Sequence, residues 1–434
     1  MDSETPGAAM CWRLSPGALT SVSTRLHVLR KGKRVAILSQ PTSQEEAAVV
    51  APRQAATWPT DVLFALSLGL TLRLGYWLYG WWRLQTIVEP YAPFFHGDWE
   101  QLAPALSSPA YPWLGPWLHL DALWYDHVAT AGYRAGDGSV HFPPLFPLLA
   151  HLTMPLFGGS FGFAGMAVNF VAAVVAFYLL RRIAALDGRS DDGSRAALYM
   201  CAFPVGFFIF APFTEATFLV FTVASMYCAR RGMWWWAGVW GFVATTSRWQ
   251  GALLAPALLV EYGLQVRAGK RRLGVDVLAT PLPGIAYILF TLYSRFIVGE
   301  PRSMTQVNDY WGIRWLAPWD VLQAGWQRIA AGDGLELLNL VAIIGLALGC
   351  VVALRYLRLS YVVYMVEQLV FIVAHISAVS PLAASARYVV TIFPLFLLLG
   401  RAGANPRLHN AIVITFFLIQ GIFVWQFVVG EWVA

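Results

Sequence analysis

The chain has 434 residues, of which 58% are hydrophobic and only 12% carry a charged side chain. Soluble domains contain about 25% charged residues, so this chain lacks the polar side chains that a water-facing surface requires. Its formal net charge of +6 comes from short Lys and Arg clusters between apolar runs. That distribution is typical of membrane-protein loops and gives no reason to expect a nucleic-acid partner.

The continuous apolar runs favour an all-α polytopic membrane protein. Helices satisfy every backbone N–H and C=O within one segment, which lipid demands. A transmembrane β-barrel would show segments of about 10 residues with alternating polarity, and the apolar runs here do not alternate. The four cysteines are scattered, with neither metal-ligand spacing nor a disulfide framework.

Residues 1–58 are polar and rich in Ser, Pro and Ala, with a basic patch from Arg25 to Arg34. The apolar core of a signal peptide is missing. We therefore predict a cytoplasmic, disordered basic tail that touches anionic lipid, with a regulatory or partner-binding role as the alternative. Residues 59–434 are predicted to form a single transmembrane domain.

Eleven apolar runs are predicted to cross the membrane. They are Thr60–Trp82, Phe161–Leu180, Ala196–Ala211, Thr214–Ala229, Trp234–Thr246, Gly251–Val266, Val277–Val298, Leu335–Leu354, Ser360–Ala378, Tyr388–Leu399 and Ala411–Val429. The run from His141 to Phe157 contains four prolines and is predicted not to cross. Arg73, in the middle of the first span, is expected to face the bundle or a cavity.

Five basic clusters set the predicted orientation. Arg181–Arg182, Arg230–Arg231, Arg267 to Arg272, Arg355 with Arg358, and Arg401 with Arg407 are all expected to be cytoplasmic. The N-terminus is then cytoplasmic and the C-terminus external, in a multi-pass plasma-membrane protein. Loops 83–140 and 299–334 become external, whereas one extra crossing at 141–157 would invert everything after it.

The first external loop gathers most of the candidate residues for chemistry. Asp121 is the first choice, as a base for an acceptor hydroxyl in a water-poor site, although an Asp at this point also suits a helix cap. Residues 120–132 are predicted to form a short interfacial helix that also carries Tyr125, a candidate substrate contact. Asp98 and Glu100 are candidates to orient an acceptor or bind a divalent cation, but one neighbouring His makes a weak metal signal. No residue is assigned as a metal ligand, and the question whether the protein binds a divalent cation is left open.

Polar residues at the mouths of other spans complete the candidate site. Burying the charged Glu215 carboxylate between two apolar spans costs free energy unless the carboxylate is ion-paired or hydrated, and Arg248 is its expected partner. A structural ion pair and a substrate contact are equally consistent with that pattern. Arg387 and Tyr388 begin a span, where Arg suits a lipid phosphate or a headgroup anchor.

Three further residues are weaker candidates. His141 is a substrate-site candidate that suits a satisfied loop histidine equally well. Arg302 and Arg314 in the second external loop are weaker phosphate ligands.

These residues lie in motifs that resemble the PIG-V-type mannosyltransferases, the second mannosyltransferase of GPI-anchor synthesis and its prokaryotic relatives. The run LDALWYDHVATAGY followed by HFPPLFPLL is similar to WDxxWYxxIAxxGY and FFPLYPLL. PFTEATF, ATTSRWQG, SARYVVTIFPLF and GEWVA resemble later motifs in the same order, so the resemblance covers most of the chain from Thr60 onward. Leu120, His141, Phe213 and Trp249–Gln250 depart from the family pattern and leave donor and acceptor specificity open.

The resemblance implies a fold of the GT-C superfamily with its active site in the first external loop. It implies a polyprenyl-phosphate or dolichyl-phosphate sugar donor, typically of mannose, and an inverting single displacement. Asp121 becomes the expected base, and Glu215, Arg248, Arg387 and Tyr388 the expected site-lining residues. The acceptor class is a lipid-linked glycan, a glycolipid or a protein outside the membrane. A lipid-linked sugar flippase and a non-catalytic membrane scaffold are the alternatives.

Overall fold

The computed structural model describes residues 58–86, 111–377 and 380–428, together with residues 431 and 433. The predicted tail and the candidate residues Asp98 and Glu100 lie outside this range, as does part of the GEWVA motif. Within it, the chain is almost entirely helical, with one pair of short strands. The predicted all-α polytopic architecture is confirmed apart from that strand pair.

The α-helices fall into two length classes. The longer ones are α1 (Trp58–Thr86), α3 (Asp121–Ala131), α5 (Phe161–Ala185), α6 (Ser190–Ala202), α7 (Glu215–Arg230), α8 (Trp234–Ser247), α9 (Leu254–Arg267), α10 (Leu282–Tyr293), α12 (Pro318–Ala330), α13 (Gly334–Tyr356), α14 (Leu359–Val373), α16 (Phe393–Ala402) and α17 (Pro406–Val428). The short ones are α2 (Tyr111–Leu114), α4 (Leu145–Thr153), α11 (Met304–Tyr310) and α15 (Ser385–Val390). The strands are β1 (Ile313–Trp315) and β2 (His375–Ser377), which pair antiparallel.

Four helices in the described part are long and apolar enough to span a membrane. They are Pro59–Trp82, Phe161–Ala185, Gly334–Tyr356 and Pro406–Val428. Shorter apolar helices, such as α14, accompany them. The predicted total of eleven crossings and the orientation of the termini stay predictions.

Several predicted spans are interrupted in the structure. In the span predicted as Ala196–Ala211, the helix α6 ends at Ala202. The span predicted as Ser360–Ala378 ends as a helix at Val373 and continues as β2, so its last turn was wrongly assigned to a helix. The span predicted as Tyr388–Leu399 is divided between α15 and α16. Pro394 explains the break between α15 and α16, because it has no N–H to bond the Val390 carbonyl and its ring would clash with that carbonyl in a continuous helix.

Arginines from several of the basic clusters lie at one end of the bundle. Arg230 is ion-paired with Asp187 in the loop after α5, 2.6 Å away, and hydrogen-bonds the Tyr361 hydroxyl of α14. Arg358 pairs with Glu261 of α9 at 2.7 Å, and Arg401 donates to the Tyr356 carbonyl at the end of α13. Arginines of several clusters thus lie at the same end of the bundle, and the cytoplasmic location expected for all five stays a prediction.

Arg73 is buried within the bundle, as its mid-span position predicts. Its guanidinium donates to the carbonyl of Phe210 at 2.5 Å and contacts the sulfur of Met166. It also lies 4.7 Å from the centre of the Trp77 ring. A carbonyl and an aromatic face therefore accommodate this cation away from water.

Close helix packing in the bundle depends on glycine at particular points. A methyl group on Gly238 of α8 would collide with the carbonyl oxygen of Ala279. We expect Gly238→Ala to lower the free energy of unfolding by about 1–3 kcal/mol, because a backbone atom cannot move aside. Thermal unfolding of the purified protein in detergent measures this loss.

Gly263 in α9 provides the matched control, because no atom lies within 4 Å of a methyl group there. Gly263→Ala should leave stability unchanged or raise it by about 0.5–1 kcal/mol, since Ala is the better helix former. Equal melting temperatures for the two variants would contradict the packing argument.

Candidate active site

Asp121 is the first residue of α3, and the backbone immediately before it has an uncommon conformation. Leu120 has φ 55° and ψ −132°, in the region that non-glycine residues rarely enter. Leu120 is buried, so surrounding packing holds this conformation in place. Leu120 occupies the N-cap position, and Asp121 is the acidic residue of the first turn. The Asp121 side chain also lines a cavity.

A buried carboxylate joins two arginines beside this cavity. Glu215, the first residue of α7, is completely inaccessible to solvent. Its Oε1 atom accepts from Nη1 of Arg248 at 2.6 Å and from Nε of Arg387 at 2.9 Å. The predicted pairing of Glu215 with Arg248 is confirmed, and Arg387 extends it into a three-residue cluster.

Arg387 also links this cluster to Asp121. Its Nη2 atom lies 2.9 Å from Oδ2 of Asp121 and 2.9 Å from Oε1 of Glu215. The guanidinium is buried against the rings of Phe208 and Phe213, at 4.5 and 4.9 Å from their centres. One arginine from α15 thus holds the acid of α3 and the acid of α7 at a fixed separation.

The Asp121 carboxylate is the partly accessible member of the group. Its side chain is 31% exposed, against 5% for Arg387 and none for Glu215. Two carboxylates and two guanidinium groups make the cluster neutral when all four are ionised. A ligand in the cavity can therefore reach Asp121, while Glu215 acts through the arginines.

The cavity has a volume of about 280 Å³. It brings together Asp121, Tyr125, His141, Arg248, Arg387 and Tyr388 from separate parts of the sequence. Glu215 does not line it, because it is buried behind the arginines. The predicted set is brought together; the roles of its members stay predictions.

Aromatic rings form much of the wall. Tyr388 lies under the guanidinium of Arg248, 5.0 Å from ring centre to Cζ. Trp124 stacks on Phe142 at 5.3 Å, and the Trp311 ring meets Trp124 edge-on at 4.8 Å. These rings supply flat apolar surfaces beside the charged cluster.

Tyr125 and His141 are polar groups of the same wall. The Tyr125 hydroxyl lies 3.4 Å from Oγ1 of Thr214, and burial raises the pKa of its phenol. His141 Nδ1 lies 3.2 Å from Oδ1 of Asn308, and desolvation lowers the pKa of its ring even though Asp121 acts in the opposite direction. Both side chains are therefore expected to be neutral near pH 7.

Sequence reasoning missed the wall contributed by the strand pair. β1 pairs with β2 so that Ile313 opposes Ser377 and Trp315 opposes His375. Ile313, Ser377 and His375 all line the cavity. Polar residues that interrupt an apolar run, as in AHISAV, were the available signal.

The weaker phosphate candidates of the second external loop lie elsewhere. Arg302 pairs with the buried Glu300, 2.8 Å away, and Glu300 in turn accepts from the Gly136 backbone. Neither Arg302 nor Arg314 is among the residues that line the cavity. Glu300 thus connects the two loops that are predicted to be external. In the described part of the chain, no group of three His, Cys, Asp or Glu residues could hold a metal ion.

Comparison with known proteins gives one structural likeness. No protein-family model matches the sequence, and no curated protein matches it either. The fold is similar to that of ArnT from Cupriavidus metallidurans bound to undecaprenyl phosphate, with 13% sequence identity and a TM-score of 0.48. The match covers 83% of this chain and 64% of that chain, less than two thirds of the latter's length. The roles of the site residues therefore rest on their own geometry and chemistry.

Removing the buried carboxylate should destabilise the protein strongly. We expect Glu215→Ala to lower the free energy of unfolding by about 3–5 kcal/mol, because it leaves the buried arginines without their shared partner. The matched control is Asp187→Asn at the opposite end, where the carboxylate is 46% exposed. That change should cost at most about 1 kcal/mol. Similar melting temperatures for both variants would contradict a structural role for Glu215.

Asp126, on the same helix as Asp121, should make stability depend on pH. Burial raises the pKa of Asp126 to about 6, above the unfolded value of about 3.9. The folded state then binds a proton more tightly, so this residue's contribution becomes less favourable as pH rises from about 4 through 6.

We expect Asp126→Asn to be more stable than the natural protein at about pH 8, by on the order of 1 kcal/mol, with no difference near pH 4. Thermal unfolding across this pH range measures the effect. A difference in stability between the two proteins that does not change with pH would contradict a raised pKa for Asp126.

Proposed function

We propose that the chain is an integral-membrane inverting glycosyltransferase. It moves a sugar, with mannose the one implied by the sequence resemblance, from a polyprenyl-phosphate donor to a hydroxyl group. The acceptor is a lipid-linked glycan, a glycolipid or a protein on the outer side of the membrane. The observation that supports this best is the accessible Asp121 carboxylate, ion-paired at 2.9 Å with a buried arginine at the edge of the cavity.

The proposed reaction is a single displacement at the anomeric carbon. The acceptor oxygen forms a bond to that carbon while the bond to the donor phosphate oxygen breaks, and the lipid phosphate leaves with the electron pair. The acceptor proton passes to Asp121. Positioned bases of this kind contribute about 10²–10⁴-fold to rate. One step inverts the configuration and needs no covalent enzyme intermediate.

The charge balance of the cluster suits this step. Before transfer, the charges of Asp121 and Glu215 cancel those of Arg248 and Arg387. When Asp121 takes the proton it becomes neutral, and the cluster gains a net positive charge. The leaving phosphate gains negative charge at the same moment, because the phosphodiester becomes a phosphomonoester. Arg248 and Arg387 therefore stabilise the leaving group most when its charge develops.

The remaining wall suits a sugar ring. Trp124, Trp311 and Tyr388 present ring surfaces on which the C–H face of a hexose can lie. The Tyr125 hydroxyl and Gln250 offer polar contacts at the same surface. The cavity volume of about 280 Å³ lies just below the range of about 300–1,000 Å³ that is typical of small-molecule sites.

Asp121→Asn tests the proposed base directly. We expect it to lower sugar transfer from labelled polyprenyl-phosphate mannose by about 10²–10⁴-fold in membranes, because the amide cannot accept the proton. The matched control is Asp126→Asn on the same helix, which removes a carboxylate that does not line the cavity and should keep full activity. Equal rates for the natural protein and Asp121→Asn would remove Asp121 from the mechanism.

The same membranes distinguish the rival functions. Movement of the lipid-linked sugar across the vesicle wall without any new glycosidic bond would favour a flippase. Neither transfer nor movement in the presence of donor and acceptor lipids would favour a scaffold. Either result would overturn the glycosyltransferase proposal.

A further inference from the structure

A second cavity lies at the opposite end of the bundle and is strongly basic. Its volume is about 520 Å³. The cationic side chains that line it are Arg230, Arg231, Lys270, Arg271 and Arg358, and Glu261 is the acidic one. Arg230 ends α7, whose first residue is Glu215. At 1.5 Å rise per residue, the two ends of that helix are about 22 Å apart, so this cavity is separate from the candidate active site.

Three of the arginines are fixed by partners. Arg230 is held by Asp187 at 2.6 Å and Arg358 by Glu261 at 2.7 Å. Arg271 pairs with Asp276 and lies 4.2 Å from the centre of the Tyr262 ring. Guanidinium groups held in this way lose little further freedom when they bind an anion.

Positive charge remains in excess after these pairs are formed. Within the described part of the chain, neither Arg231 nor Lys270 has a carboxylate within salt-bridge distance. Cations near the C-terminal ends of α7 and α9 partly offset the helix dipoles. Lys270 and Arg271 follow α9 in a loop, yet they line the same cavity as Arg230 of α7. The helix dipoles do not account for this convergence.

An apolar cavity adjoins the basic one. Its volume is about 320 Å³, and it shares Gln265, Lys270 and Arg358 with the basic cavity. Its other walls are Leu264, Ala268 and Leu359. Leu359 is 48% exposed although it is a large apolar residue. The basic cavity and the apolar cavity are thus in contact along these three shared side chains.

We propose that this double cavity binds a phosphate group, and that the phosphate is the headgroup of an anionic lipid. Arg231 and Lys270 meet the phosphate oxygens beside the prearranged Arg230 and Arg358, and the first acyl carbons lie along Leu264 and Leu359. Phosphate oxygens are the natural partners of clustered guanidinium and ammonium groups. The site is independent of the proposed transferase reaction and is not its donor site.

Binding of phosphatidic acid to the full-length protein in neutral-detergent micelles tests the proposal, with native mass spectrometry as the readout. Arg231→Gln with Lys270→Gln should weaken binding about tenfold or more, because two charge-assisted contacts are lost. The matched control is Arg267→Gln with Arg272→Gln, which removes the same charge from exposed positions nearby that line neither cavity. Its affinity should stay within about twofold of the natural protein. Equal weakening in both double variants, or weakening in neither, would overturn the site.

The source of the phosphate is tested separately with glycerol 3-phosphate and inorganic phosphate. A lipid site predicts that both bind far more weakly than phosphatidic acid. It also predicts that Leu359→Ser weakens only the lipid. If the soluble phosphates bind as tightly as the lipid and Leu359→Ser changes nothing, the lipid headgroup is overturned and a soluble phosphate ester takes its place. Thermal unfolding of each variant without ligand checks that the fold is intact.

Discussion

The geometry of the candidate active site depends on the carboxylate of Glu215. It is fully buried and holds Arg248 and Arg387, which come from the α8 end and from α15. An isolated ionised carboxylate at this depth would be prohibitively costly, and so would two guanidinium groups without it. The three side chains are therefore mutually required. The residue that fixes the geometry of the site is one that a ligand does not reach.

Arg387 extends this arrangement to Asp121, so a structural ion cluster and a candidate reaction centre share one guanidinium. The two non-glycine residues with a positive φ in the described part of the chain lie close to these two residues in sequence. Leu120 precedes Asp121, and Ala384, with φ 60°, precedes α15. Strain of this kind is kept where surrounding packing enforces it, and it is frequent where side chains must be aimed. Both segments line the cavity.

The sequence predicted the members of the site better than its walls. Charged residues at the mouths of apolar spans are energetically costly, so their positions singled out Glu215, Arg248 and Arg387. Asp121 was instead chosen as an acid of the long polar loop that could act as a base. The strand pair was missed, because a short apolar stretch such as that after Val373 is compatible with helix or strand. Its pairing with a strand far back in the chain, as Ser377 with Ile313 and His375 with Trp315, is a tertiary property that local sequence does not encode. The break before α16 was available in advance from Pro394 and was overlooked.

The distribution of arginine along α7 has a consequence for sidedness. One end of this helix carries the buried acid of the site and the other carries Arg230 and Arg231. A loop that carries Lys and Arg next to a membrane span tends to stay on the cytoplasmic side of the membrane. These arginines are thus expected to decide, at the moment of membrane insertion, the compartment into which the distant cavity opens. The orientation signal and the candidate active site thus lie at opposite ends of one helix. Moving the arginines to the other end would be expected to reverse the orientation and expose an intact site to the wrong compartment.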